Sequence, residues 1–254
     1  AFFADNLPRE FVVRPAEHAA GRRACFFYRE GDAFIGAAMA RLDAGELYDW
    51  LASDHTVRHV IQERLYCHPE LTRLSGEESL QPVRIITLID NDGQVHILHA
   101  HLKILRTDET TDPRDGGLAG GIEAPIDLRH GVLEKANRIP GTGAPAVTVG
   151  SHPRTGVAFE GFRVPFWTEL CRLARHAALK FIPVRTIGWD VALTSDGPII
   201  LEGDLWWEPP NQHGDMAEIF RVLSDPSLPR IQRSESIPAD GDHWRNLFTA
   251  DDRA

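Results

Sequence analysis

The first apolar run of the chain, Phe11, Val12 and Val13 followed by Arg14 and Pro15, has the length of a short buried strand, and residues 31–35 read as a turn and a second strand. Between them, residues 17–23 form a polar loop containing a single glycine, Gly21. Residues 41–52 place Leu42, Leu47, Trp50 and Leu51 at irregular helical spacing, and residues 57–65 return to a strand pattern. Residues 1–65 thus predict a small α+β unit.

The apolar pattern then lengthens. Residues 83–89 and 95–104 are β-rich runs joined by Asp90-Asn91-Asp92-Gly93-Gln94, the signature of a hairpin. Residues 107–121 are polar and glycine-rich, and a loop of that length is more often functional than idle. Residues 141–153 form a second irregular stretch. Residues 166–181 give the clearest helix, because Phe166, Leu170, Leu173, Ala174, Ala177, Ala178 and Phe181 recur every third or fourth position. Residues 186–193 and 199–204 predict another strand pair. A second unit is therefore expected over residues 66–224, followed by an irregular tail rich in Pro, Ser and Asp over 225–254. No internal repeat is visible.

Composition narrows the class of protein. The 254 residues carry 27 Lys+Arg against 37 Asp+Glu, a net charge of -10, which argues against a dedicated nucleic-acid or anionic-membrane surface. No apolar run approaches the roughly 18 residues of a membrane span. The acidic start, with Asp5 and Glu10, is unlike a signal peptide. Cys25, Cys67 and Cys171 have neither disulfide-framework nor zinc-site spacing, which predicts a reducing, cytoplasmic location. The chain does not begin with Met, as expected of a processed or truncated piece.

The candidate chemistry is carried by the last strand pair. Strand alternation puts Glu202 and Asp204 on one face. Asp190 joins them only if an odd number of residues, or a bulge, intervenes in the turn: a three-residue loop, Ser195-Asp196-Gly197, is the form expected and pairs Asp190 with Glu202, whereas pairing Ser195 with Pro198 sets it opposite Gly203. Clustered carboxylates repel unless a cation lies among them, and hard oxygen ligands suit Mg²⁺ carrying phosphate oxygens; the competing reading is a solvated strand edge. On the hairpin, His99, His101 and Lys103 share one side, and Arg84 begins an apolar strand. Such cations need anionic partners, either phosphates or the same acids in a structural salt bridge. The His99 and His101 spacing also admits zinc, but no third ligand has matching spacing. Trp206 and Trp207 stack on a substrate ring, bind a partner or, as is commoner for tryptophan, belong to the core. The hydrolase elbow, P-loop and dinucleotide fingerprints are all missing.

In order, Phe11-Val12-Val13-Arg14-Pro15, Ile61-Gln62-Glu63-Arg64-Leu65, Val83-Arg84-Ile85-Ile86-Thr87-Leu88, Gly188-Trp189-Asp190 and Leu201-Glu202-Gly203-Asp204 resemble the ATP-grasp enzymes. Within them the chain is most similar to the sugar-transfer-associated family, through His68-Pro69-Glu70-Leu71, Gly116-Gly117-Leu118, His152-Pro153-Arg154-Thr155-Gly156, Phe159-Glu160-Gly161-Phe162 and Val164-Pro165-Phe166-Trp167.

The resemblance implies an α+β fold in which two α+β subdomains sandwich ATP, with a mainly antiparallel sheet in the C-terminal part. By motif position, Arg14 stands where a phosphate-binding lysine is usual, and Gln62, Glu63 and Leu65 stand in the hinge that touches adenine and ribose. Arg84 and Lys103 face the phosphates, and Asp190, Glu202 and Asp204 ligate Mg²⁺. Three positions depart from the family pattern: Arg14 replaces Lys, which keeps charge but changes geometry, the loop around His18 has one glycine, and Asp204 stands where Asn is usual.

The activity implied is that of an ATP-dependent ligase or related phosphoryl-transfer enzyme that activates a carboxylate with Mg·ATP for attack by an amine or other nucleophile. Its substrate would be a small molecule or glycan precursor in cell-surface polysaccharide biosynthesis. The alternative is a catalytically impaired module that binds nucleotide or protein.

Overall fold

The computed structural model describes residues 5–16, 25–36, 41–53, 58–90, 92–104, 121–138, 146–205 and 207. The predicted loops over 17–23 and 107–121 and the tail from 225 lie almost wholly outside them.

The N-terminal strands β1 (Glu10–Pro15), β2 (Cys25–Glu30), β3 (Ala33–Gly36), β4 (Arg41–Leu42) and β5 (His59–Glu63) form an antiparallel sheet in the order β4-β3-β2-β1-β5. Alternation along β1 sends Phe11 and Val13 to one face, where they meet Phe27, Phe34 and Leu47 in a core of their own. Phe11 stacks on Phe27 with centroids 5.4 Å apart and meets Phe34 edge-on at 5.9 Å. Helix α1 (Ala44–Ala52) closes this core, starting later than the sequence spacing indicates because Arg41 and Leu42 extend the sheet. Its start is set by a capping box: Asp43 accepts hydrogen bonds from the Gly45 and Glu46 amides at 2.7 and 2.9 Å, and Glu46 accepts one from the Asp43 amide at 2.8 Å.

The second sheet contains β6 (Val83–Ile89), β7 (Val95–Ile104), β8 (Ile122–Asp127), β10 (Ala136–Arg138), β11 (Val147–Val149), β12 (Thr186–Thr194) and β13 (Gly197–Asp204), in the order β11-β10-β8-β7-β6-β12-β13. The short strand β9 (Val132–Leu133) pairs with β8 off this path, and every pairing is antiparallel. Strand β11 lies inside the stretch read from sequence as irregular.

Helix α3 (Trp167–Lys180) covers one face of this sheet. It buries Leu170, Cys171, Ala174 and Ala178 with Ile85, Leu102, Ala124, Trp189 and Val191. Burial in this apolar core pushes the Cys171 thiol up to about 11, so it is a packing group and not a reactive thiolate. Short helix α2 (Pro69–Ser75) packs against the same core through Leu71 and Leu74. The His152-Pro153-Arg154-Thr155-Gly156 segment finishes that helix: Thr155 Oγ1 donates to the Leu74 carbonyl at 2.7 Å and Arg154 to the Ser75 carbonyl at 3.1 Å.

The turn between β12 and β13 differs from its expected form. Thr194 pairs with Gly197, so the loop has two residues, Ser195 and Asp196, and Gly197 belongs to the strand. Parity is restored by a β-bulge: Val191 pairs with Ile200 and Asp190 with Glu202, leaving Leu201 as the extra residue. Asp190 and Glu202 thus face each other as expected, through the bulge and not through the three-residue loop. Gly197 adopts φ +121°, as expected of a glycine there.

Candidate functional site

The register of the large sheet assembles a polar face opposite α3. Arg84 on β6 stands beside His101 of β7 on one side and Asp190 of β12 on the other, and Asp190 stands beside Glu202 of β13. In the adjoining row, His99, Ile86, Gly188 and Asp204 follow in the same strand order. Since side chains alternate, the polar residues of both rows project together, away from Ile85, Leu102 and Trp189.

Asp190, only 7% exposed, is the centre of the cluster. Arg84 Nε lies 2.9 Å from its Oδ1, Arg84 Nη2 donates to Oδ2 at 3.2 Å, and Lys103 Nζ lies 3.1 Å from both oxygens. Arg84 also reaches over β12: Nη1 donates to Asp204 Oδ2 at 2.5 Å and to the Gly188 carbonyl at 3.3 Å. Gly188 makes this crossing feasible, because a Cβ there would come 3.0 Å from Arg84 Nη1 and 2.7 Å from Trp207 Cβ. Trp207 is fixed by its own bond, Nε1 donating to Thr186 Oγ1 at 3.1 Å.

Ligand oxygens of Asp190, Glu202 and Asp204 lie within 4.8 Å of one another. Among the described residues no cation forms an ion pair with Glu202, unlike its two neighbours. Its carboxyl is pushed above the usual range, first by desolvation from the protein around it, although part of the residue meets solvent, and then by the charges of Asp190 and Asp204; Arg84 opposes the shift. An all-oxygen donor set with excess negative charge fits a hard divalent cation. Glu202 and Asp204 would hold it, with Asp190, already engaged by Arg84 and Lys103, supplying nearby charge. Such an ion would supply positive charge to offset that of a nucleotide's phosphates.

The five residues Arg84, Lys103, Asp190, Glu202 and Asp204 expected at the phosphate and metal site are therefore brought together, four of them as an ion-pair network with Glu202 beside it. The other expected contacts lie on the small sheet and take no part in that network. Arg14 and Gln62 share its face away from α1, with Val12 and Phe26, because Val12 pairs with both Gln62 and Phe26. Glu63 pairs with Phe11 and so has the opposite parity, at the exposed end of β5. Leu65 is half-buried just beyond that strand. Trp206 lies outside the described residues. One polar member was missed in sequence: Glu123, which the register sets opposite Lys103.

Two cations and three carboxylates thus share one face of an antiparallel sheet, with a helix on its other side. The model of the sugar-transfer-associated ATP-grasp family matches residues 3–217, and the chain belongs to that family. Membership places it among ATP- and metal-using proteins of the ligase and phosphoryl-transfer kind. Searches of curated proteins and of solved structures gave no significant match.

Proposed function

We propose that the chain is an ATP-dependent ligase that transfers the γ-phosphoryl group of Mg·ATP to a carboxylate and lets an amine or other nucleophile displace phosphate, on a small-molecule or glycan-precursor substrate. The observation that carries this reading is the row of Arg84, Asp190 and Glu202 on neighbouring strands, with Lys103 and Asp204 reaching into it. Fixed cations and an acidic trio on one face would supply the positioning and charge neutralisation that phosphoryl transfer demands. Arg84 and Lys103 would turn from Asp190 toward phosphate oxygens once a metal ion offsets the acids. Arg14, Gln62, Glu63 and Leu65 would hold the nucleotide from the small-sheet side, with residues 1–65 and 66–224 as the two subdomains and the cytoplasm as the place of work.

A second reading is favoured by one feature: both oxygens of Asp190 are already engaged by Arg84 and Lys103. A network this satisfied also suits a module that binds nucleotide without turnover. The two separate in one assay, Mg²⁺-dependent release of ADP from ATP with uronic acids and amino acids as carboxylates and hydroxylamine to trap acyl phosphate as hydroxamate. Hydroxamate formation supports the ligase; nucleotide binding without ADP or hydroxamate supports the module.

A further inference from the structure

The outer side of α3 departs from the charge of the chain. Its inner side, Leu170, Cys171, Ala174 and Ala178, lies on the large sheet. At about 3.6 residues per turn, Arg172, Arg175, His176 and Leu179 line up on the opposite side with Glu169 and Lys180 at its margin, and all six are exposed. Glu169 is the one acid of the helix, against Arg172, Arg175 and Lys180, in a chain whose net charge is -10. The overall balance that speaks against an anionic-membrane surface is thus locally reversed, on the side of the sheet away from the acidic trio.

A solvated helix face accounts for the cations, and Lys180 in the last turn also meets the negative end of the helix dipole. It does not account for the large apolar groups among and beside them. Leu179 sits within the stripe at 43% exposure. Phe181, where the helix ends, is 54% exposed although it meets Trp189 edge-on with ring centroids 5.6 Å apart. Trp189 also meets Gly203 of β13, where a Cβ would come 2.8 Å from the indole, and Leu205, just past that edge strand, is 57% exposed. Leu179 and Phe181 from the helix and Leu205 from the strand thus stand at the C-terminal end of the basic stripe.

We propose that this face docks on an anionic lipid surface, with Arg172, Arg175 and Lys180 among the headgroups and Leu179, Phe181 and Leu205 at the boundary between headgroups and acyl chains. A soluble polyanion would use the cations and leave the three apolar groups in water. A protein partner anchors its side chains in pockets, and the outer side of a single helix is convex, whereas a layer of headgroups yields to a convex surface. The contact is peripheral, since no helix among the described residues is long and apolar enough to cross a membrane. The large sheet lies between the docked helix and the polar face, so Arg84, Lys103 and the acidic trio stay turned away from the lipid. Docking of this kind holds whether or not the chain is a ligase.

Flotation of the full chain with vesicles of phosphatidylcholine alone, and of phosphatidylcholine mixed equally with phosphatidylglycerol, tests this. The parent should partition onto the mixed vesicles and not onto the neutral ones, and less so as salt rises. Each Lys or Arg near an anionic surface contributes about five-fold. Arg172→Gln, Arg175→Gln and Lys180→Gln together should therefore lower the partition coefficient about 100-fold, and Glu169→Gln should raise it about five-fold. Leu179→Gln should lower it about ten-fold. A parent that ignores the mixed vesicles overturns the proposal and leaves an acidic protein as the partner; a triple variant that binds them as the parent does overturns it too. So does binding to free heparin as tight as to the vesicles with Leu179→Gln unchanged in both, which is the behaviour of a site for soluble polyanions. Because Glu169→Gln is expected to gain binding at an unchanged unfolding midpoint, it decides the matter even where a loss variant fails to fold, and no gain overturns the proposal.

Discussion

Replacing Asp190 by Asn keeps the shape of the side chain and removes the charge that Arg84 and Lys103 share. In the parent protein this residue is 7% exposed and its two oxygens meet Arg84 Nε, Arg84 Nη2 and Lys103 Nζ between 2.9 and 3.2 Å. Asn turns an NH₂ group toward one of these cations. Breaking a buried ion pair from one side costs roughly 3–5 kcal/mol. Two features reduce that figure here: Asp204 still accepts from Arg84 at 2.5 Å, and Glu202 loses a like-charged neighbour. The expected loss is therefore about 2–3 kcal/mol, below the full range for a buried pair. In urea, with a slope of about 2 kcal/mol per molar, the unfolding midpoint should fall by about 1 M without a change in slope. A cycle with Lys103→Met should return a coupling of about 1–2 kcal/mol between the two positions. Stability within about 0.5 kcal/mol of the parent would refute the reasoning, because it is the behaviour of a solvated surface carboxylate.

Other expectations follow from the same geometry. Glu202 has a raised folded-state pKa, so its favourable protonated state is fully present below the ordinary carboxyl range and is lost as pH rises through the raised value; Glu202→Gln should make the metal-free chain more stable near neutral pH, checked by urea titration at several pH values. For the same reason Mg²⁺ should bind more weakly as pH falls into that window and should release protons when it binds, which calorimetry in buffers of different ionisation enthalpy detects. Gly197→Val should cost about 1–3 kcal/mol through backbone strain alone, since a Cβ at Gly197 meets nothing within 4 Å at its φ of +121°; a thermal unfolding scan reads the change. Glu63→Ala should raise the dissociation constant for ATP several-fold and leave that for inorganic triphosphate alone, and equal losses for both would point to a folding defect.

What could be read from sequence depended on whether the signal was local. The β-rich runs 83–89 and 95–104 and the helical spacing of 166–181 are properties of single segments, and the elements over them lie where those patterns place them. Strand period alone put Glu202 and Asp204 on one face. Asp190 was harder, because its side depends on the whole path around the turn, and the bulge at Leu201 leaves no mark in the hydrophobic pattern. The helix over 41–52 was read too long because Leu42 suits a strand edge as well as a helix, and only the Asp43 capping box marks the true start. Arg84 and Lys103 were legible as cations on strands, but their partners required the order β7-β6-β12-β13, which is a property of the fold. Glu123 escaped for that reason: it follows His101 by a long glycine-rich connection, and only the β7 and β8 register brings them together.

The central claim, that Glu202 and Asp204 hold the metal of a bound nucleotide with Asp190 supplying charge beside them, is tested most directly by calorimetry of ATP with and without Mg²⁺ on the parent chain and on Glu202→Gln. The parent should bind ATP more tightly with Mg²⁺ than without it, and Glu202→Gln should lose that Mg²⁺ dependence while unfolding at no lower urea concentration. Equal affinity of both proteins for Mg·ATP would contradict the metal assignment and leave Arg84, Lys103, Asp190 and Asp204 as a structural salt bridge.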